Sequence, residues 1–417
     1  MFRLLVVSAS LAGTAGFVSP RPSALGRVAL RKAVAPRAAA PPMMLLGGLF
    51  GRGPASEAGG LADNEAASRM SPITVGIVGA TGAVGEEIMG CLKERGVPVS
   101  SIELFASARS AGKEIDTPFG KKKLQEFDLA AARKLDVVFL AVSGDFALEW
   151  AEKIAAGDDG ALVIDNSSAF RYDERYPLVV PEINAEQGRS QKKGGRARLI
   201  ANPNCTTAIA VMALWPLLKK YGLKRCIMST YQAASGAGAP GMGELEDGVK
   251  AFTAGKEIKN EVFAHPLPFN VIPHIDKFQD NGYTKEEMKV TWECRKIMSQ
   301  PNLAVSCTAV RIPTLRAHAE AITVETKRKV SPEDARALLK DAPGVRLADT
   351  PSDNSYPMPL TATKSYDVEV GRVRRSEVFG DYGLDLFVCG DQLLRGAALN
   401  AVLIAESVLA PPKPATA

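Results

Sequence analysis

From residue 73 the chain runs Ile73-Thr-Val-Gly-Ile-Val78, a short apolar stretch of strand length. A glycine-rich turn follows, and then Glu86–Glu94, where Ile88, Cys91 and Leu92 recur at helical spacing. Ser101–Phe105, Leu135–Val142 and Ala161–Asp165 have the same strand-like pattern, and Phe146–Ala156 between the last two has a helical one. Strands alternating with helices predict right-handed βαβ units and a parallel sheet. The pattern changes after residue 205. Thr206–Tyr221 is an almost wholly apolar helix, expected to bend or break near Pro216. Cys226–Gln232, Val305–Ile312, Ala319–Thr326, Val368–Val373 and Leu384–Val388 alternate or are β-branched, as in a mixed sheet. Ser331-Pro332-Glu333-Asp334 starts a helix, with Ser as N-cap and Pro at the first position. A last helix covers about Leu393–Leu409. No internal repeat is visible, and no apolar run after residue 70 is long enough for a spanning helix.

Composition changes this picture in one place. The 417 residues carry a net charge of +5. Residues 1–70 hold eight Lys and Arg against three Asp and Glu, so the body is neutral and offers no nucleic-acid face. Lys121-Lys122-Lys123 reads as a solvated turn. Residues 1–56 contain no acid; an apolar segment, Leu4–Gly16, precedes Phe17 and an Arg-, Ala- and Pro-rich stretch. This is the composition of a targeting leader, with 46–70 as linker. Its order resembles the bipartite leader of plastids acquired by secondary endosymbiosis; a mitochondrial transit peptide is the alternative. Six dispersed cysteines, none in a C-x-x-C pair, and three histidines give neither a disulfide scaffold nor a metal site.

Gly79-Ala80-Thr81-Gly82-Ala83-Val84-Gly85 lies between a strand and a helix. There the first glycine permits a tight turn, the second lets backbone approach a pyrophosphate, and the third lets helix and strand pack closely. The helix N-terminus then faces the phosphates. The second strand ends without the acid that would bind a ribose 2′-hydroxyl, and supplies Ser107 and Arg109 instead. A guanidinium suits a 2′-phosphate, so the cofactor expected is NADP; a solvated polar turn is the plain alternative.

Asn202-Pro203-Asn204-Cys205-Thr206-Thr207 immediately precedes the apolar helix. Cys205 therefore falls at a helix start, where the dipole favours thiolate. The cysteines at 91, 226, 294, 307 and 389 sit within apolar or alternating elements and read as core filler.

Taken together, these motifs resemble the aspartate-β-semialdehyde dehydrogenase family over essentially all of 72–410. The likeness rests on the glycine loop, Asn202–Thr207, Tyr231-Gln-Ala-Ala-Ser-Gly-Ala-Gly238, Glu286-Glu-Met-Lys289, Arg311-Ile-Pro-Thr-Leu-Arg-Ala-His318 and Tyr356-Pro-Met-Pro359. It implies phosphate-dependent interconversion of L-aspartyl 4-phosphate and L-aspartate 4-semialdehyde, in the biosynthesis of lysine, threonine, methionine and isoleucine. Cys205 would be the nucleophile, Gln232 would orient the substrate, and His318 would be the acid–base group. Arg311 would take the α-carboxylate, Arg171 the phosphate with Lys289 beside it, and Glu286 the ammonium group, with Asn204 also binding substrate. Ser235, Gly236 and Gln392 would touch the cofactor, Gln392 standing where the family usually has Asn. The Ser143-Gly144-Asp145-Phe146 stretch is leaner than the family's glycine-rich one.

Plain structural roles stand beside these. Arg171 could pair with Asp165 or Asp173, Glu286 and Lys289 could be an exposed pair three residues apart, and His265 and His274 lie in a Pro-rich loop. The fold class expected is α/β. A Rossmann-like doubly wound NADP-binding domain, 71–204 plus 390–411, joins an α+β catalytic and dimerisation domain, 205–389, with a mixed sheet. A homodimer, or a homotetramer, is expected. The rival readings are N-acetyl-γ-glutamyl-phosphate reductase, whose cysteine usually follows Gly rather than Asn204, and a catalytically silent NADP-binding relative.

Overall fold

The computed structural model describes residues 65–189 and 198–411, all within one compact unit. The leader and linker expected over 1–70 lie outside the described residues as far as residue 64. The last six residues of that segment are not linker: Glu65–Ser68 is a helical turn, and Ala67 and Met70 are buried in the core.

Two six-stranded sheets organise the described chain. The first contains β1 (Ile73–Val78), β2 (Val99–Ala106), β5 (Gln125–Glu126), β6 (Val137–Leu140), β7 (Leu162–Asp165) and β8 (Leu199–Ala201). Its order is β5-β2-β1-β6-β7-β8 and every pairing is parallel. The inner strands β6 and β7 are buried along their whole length, as befits a sheet covered on both faces. Strand order reverses between β1 and β6, so the loop after β1 opens at the switch point where such sheets bind ligands. A separate hairpin, β3 (Glu114–Thr117) and β4 (Gly120–Lys123), pairs Glu114 with Lys123 and Asp116 with Lys121. The lysine run is therefore an edge strand facing acidic partners rather than a turn.

The chain returns at its end. Helix Leu399–Leu409 packs on helices Ala83–Glu94 and Pro181–Arg189 of the first sheet. Arg95 and Glu406, both about 2% exposed, form a two-pronged ion pair there at 2.6 and 2.9 Å.

The second sheet contains β9 (Leu223–Gln232), β10 (Ala304–Arg311), β11 (His318–Thr326), β12 (Val345–Leu347), β13 (Val368–Ser376) and β14 (Gly380–Gly390). It is mixed, in the order β10-β9-β11-β14-β13-β12. Alternation along β9 sends Cys226, Met228 and Thr230 into the core, beneath helices Cys205–Tyr221, Lys285–Ile297 and Pro332–Lys340. The opposite face carries Ile227, Tyr231, Val310 and Phe387 and is partly open. Helix Cys205–Tyr221 runs through Pro216 without the expected break. Eleven of its seventeen residues are buried, so tertiary packing outweighs the one backbone bond that proline removes. No helix among the described residues is long and apolar enough to cross a membrane.

Candidate active site

The glycine loop is built by steric exclusion. Gly79 has φ +86, and a Cβ there would lie 2.3 Å from the Ala141 carbonyl oxygen. A Cβ on Gly85 would lie 2.4 Å from the Gly79 oxygen. The Gly79 and Ala80 amides donate to the Phe105 carbonyl at 2.9 and 3.3 Å, tying the loop to the end of β2. Ser107 and Arg109 lie exposed in the turn just beyond that end. Gly82 is the N-cap of helix Ala83–Glu94 and has no side chain to satisfy the first amides, which leaves Ala83 and Val84 at an N-terminus open to an anion. These features fit a dinucleotide. Ser143, in the leaner stretch, caps helix Gly144–Ala155 through the Phe146 amide.

The second sheet presents three strand ends side by side. Gln232 ends β9 and is in register with Arg311 at the end of β10, while His318 begins the neighbouring β11. Ala317, just before, is held at φ +67, and its amide donates to Gln392 Oε1 at 2.8 Å. Gln392 Nε2 donates to the Ser235 hydroxyl. The final helix segment and the 232–238 loop thus meet through Ser235 and Gln392. Gly236 packs against Arg311 and His318.

Cys205 is the first residue of its helix. Asn204 caps that helix, its Oδ1 accepting the Thr207 amide at 3.2 Å. The half-buried sulfur lies 3.4 Å from Nε2 of the fully buried His318. The Ala233 amide donates to His318 Nδ1 at 3.1 Å, so the neutral ring carries its proton on Nε2, toward the sulfur. Burial, and then Arg311, push the His318 pKa down to about 3, which keeps the ring neutral. The thiolate expected from the helix start is corrected here. Burial pushes the Cys205 thiol up to about 11 and Glu286 adds to this, while Arg171 and Arg311 pull the other way. Desolvation beats the dipole, and the resting group is a thiol.

Thr284 and Glu287 close a reciprocal capping box that starts helix Lys285–Ile297. Helical spacing then brings Glu286, Lys289 and Glu293 toward the cysteine. Glu286 and Lys289 do pair, at 2.9 Å, but Glu286 is only 5% exposed rather than on the surface. It also accepts from Asn204 Nδ2 at 2.9 Å and Gln232 Nε2 at 3.2 Å. Burial works to raise the Glu286 pKa, but Lys289 and these amides outweigh it and hold the carboxyl below its ordinary value. Lys289 is bound on its other side by Asp276 at 2.8 Å. Arg311 donates to the Ala233 carbonyl at 2.6 Å and lies over the Phe263 ring.

Arg171 pairs with neither Asp165 nor Asp173. Its partners are Glu293, the Asn202 carbonyl and the Asn166 carbonyl. Asp165 instead binds Ser167, and Asp173 binds Arg175. His274 stacks on the Phe278 ring. Sequence reasoning missed Glu293 and Gly396. A Cβ on Gly396 would lie 2.6 Å from that of Cys205, so only glycine lets the final segment back the nucleophile. The helical spacing after Glu286 signals Glu293; nothing local signals Gly396. No cluster of His, Cys, Asp or Glu among the described residues could hold a metal ion.

A dinucleotide-type loop at the sheet's switch point, together with a cysteine–histidine pair that has Arg171, Arg311 and Glu286 around it, defines a nicotinamide-dependent dehydrogenase of the thiol type. Comparison with known proteins agrees. Residues 74–191 match the semialdehyde dehydrogenase NAD binding domain, and 214–395 match the semialdehyde dehydrogenase dimerisation domain. The aspartate-semialdehyde dehydrogenase of Aquifex aeolicus is 47% identical over 339 residues, covering 80% of this chain and 96% of that protein. That of Synechocystis is 43% identical over 336 residues, covering 81% and 97%. The crystal structure of Vibrio cholerae aspartate semialdehyde dehydrogenase II complexed with ASA is 38% identical, covers 81% of this chain and 98% of that one, and superposes with a TM-score of 0.76. The chain belongs to the aspartate-semialdehyde dehydrogenase family. The reductase alternative is not favoured.

Proposed function

We propose that this chain interconverts L-aspartyl 4-phosphate and L-aspartate 4-semialdehyde with NADP, through a thioester on Cys205. The observation that carries this reading is the Cys205 sulfur 3.4 Å from His318 Nε2, among groups matched to a zwitterionic phosphate ester. Arg311 takes the α-carboxylate and Glu286 the ammonium group. Arg171 takes the phosphate, while Gln232 and Asn204 orient the reacting carbonyl. Neutralising Glu286 with a substrate ammonium removes one cause of the raised thiol pKa, so binding itself favours the thiolate. As Cys205 adds to the aldehyde, His318 relays the thiol proton to the carbonyl oxygen, giving the thiohemiacetal; loss of hydride then releases that proton and leaves the thioester. Bound nicotinamide supplies hydride transfer. Cys205→Ser is expected to abolish phosphate-dependent NADPH formation, and His318→Ala to slow it by about 10²–10⁴. Wild-type turnover in either variant would contradict the assignment.

The NADP preference rests on Ser107 and Arg109 beside the glycine loop and on the lack of an acid there. Arg109→Ala should weaken NADPH binding about tenfold and leave NADH unchanged; unchanged NADPH affinity would sink the preference. The nucleotide half is assigned to 71–204 plus 390–411 and the catalytic half to 205–389. The open face of the second sheet is read as a homodimer interface, or half of a homotetramer. Residues 1–70 are read as directing the chain to the plastid stroma, or alternatively the mitochondrion, where it would serve lysine, threonine, methionine and isoleucine synthesis. Fusing them to a fluorescent protein tests that reading, and cytosolic fluorescence would reject it.

A further inference from the structure

We propose that Glu293 is a positioning residue that holds the anion-binding Arg171 and the nucleophile loop in one register. The proposal rests on the reading of Arg171 as the phosphate partner. Glu293 is wholly buried, so its carboxylate must find its donors inside the protein. It finds three. Oε2 accepts the Asn204 backbone amide at 2.6 Å, one residue before the nucleophile. Oε1 accepts Arg171 Nη1 at 3.3 Å and the Tyr172 hydroxyl at 3.1 Å. One oxygen thus holds the cation and the other holds the backbone that carries Cys205.

The arrangement leaves the guanidinium competent. Arg171 has five N–H donors. Three go to the Asn202 carbonyl (2.8 Å), the Asn166 carbonyl (2.8 Å) and Glu293. One donor on each terminal nitrogen stays uncommitted among the described residues, the pair a phosphate needs for two parallel bonds. Because Asn202 and Asn204 flank Pro203 just before Cys205, the cation is tied to the nucleophile loop from both sides. A phosphate bound there is set relative to the sulfur by a single carboxylate.

Glu293→Gln tests this, because its amide offers one acceptor oxygen to three donors and must give up one link. Steady-state kinetics in the phosphate-consuming direction would be read alongside the rate of Cys205 alkylation by iodoacetamide. Either the KM for phosphate is expected to rise about tenfold, or alkylation to slow by as much, with the KM for NADP within about twofold of wild type. Wild-type values of both overturn the proposal, as does a loss shared equally by the KM for NADP, the mark of general structural damage. If Glu293→Gln does not fold, Glu293→Asp keeps the charge but cannot span both partners, and the same readings decide. Arg171→Ala separates the layers. If its KM for phosphate is unchanged, the phosphate reading falls and the proposal with it. If that KM rises in Arg171→Ala while Glu293→Gln behaves as wild type, the proposal alone falls.

Discussion

Cys205 shows how far one position can be read from its neighbours. Its place at a helix start was legible from Asn202-Pro203-Asn204, and so was its likeness to a nucleophile. Its charge was not, because the field at the sulfur comes from burial and from Glu286, whose contact with Asn204 joins residues 82 apart. Free enzyme should therefore show an alkylation rate that climbs toward about pH 11. Glu286→Gln removes a negative charge, lowers the thiol pKa and should speed alkylation at neutral pH; an unchanged profile would refute the electrostatic account. Glu320 offers a second residue-scale test. It is fully buried on β11, neither carboxyl oxygen has a hydrogen-bond partner among the described residues, and burial raises its pKa well above the ordinary value. A carboxyl that stays protonated when folded, yet ionises in the unfolded chain, costs stability as pH rises above its unfolded pKa of about 4.5. The melting temperature of wild type should fall relative to Glu320→Gln between about pH 5 and 8, and parallel pH profiles would contradict this.

At the scale of elements, the strands with strict alternation or β-branching were legible, since one face of each had to be buried. β9 and β11 follow their pattern closely. Short strands such as β8 and β12, three residues each, carry too few positions to show a period. Helix Gly238–Thr253 begins with Gly, Ala, Pro and Gly, residues that argue for a turn, and packing decides the matter. The Leu394–Ala398 segment forms a π-type turn whose Gly396 backs the nucleophile. Gly396→Ala forces a Cβ into Cys205 and should destabilise by about 1–3 kcal/mol while lowering kcat. Thermal unfolding and turnover at wild-type values would show that the close contact is not needed.

Across the whole molecule, the alternating helices and strands made the two-sheet plan legible, but not what locks it. Arg95 and Glu406 are 311 residues apart, and no local pattern could pair them. Glu406→Gln removes one charge of this buried pair and should cost about 1–3 kcal/mol by chemical denaturation, against near zero if the pair were idle. Both sheets converge on Cys205: the first through β8, which runs into Asn202–Asn204, the second through His318 with Gln232 and Arg311 beside it, and the returning C-terminal segment through Gly396. The central claim is that this convergence lets one sulfur carry the acyl group. Mass spectrometry of peptides from enzyme incubated with aspartate semialdehyde and NADP, without phosphate, tests it most directly. An aspartyl adduct on Cys205 that disappears when phosphate is added is the expected result; an adduct on any other residue, or none despite NADPH formation, would contradict it.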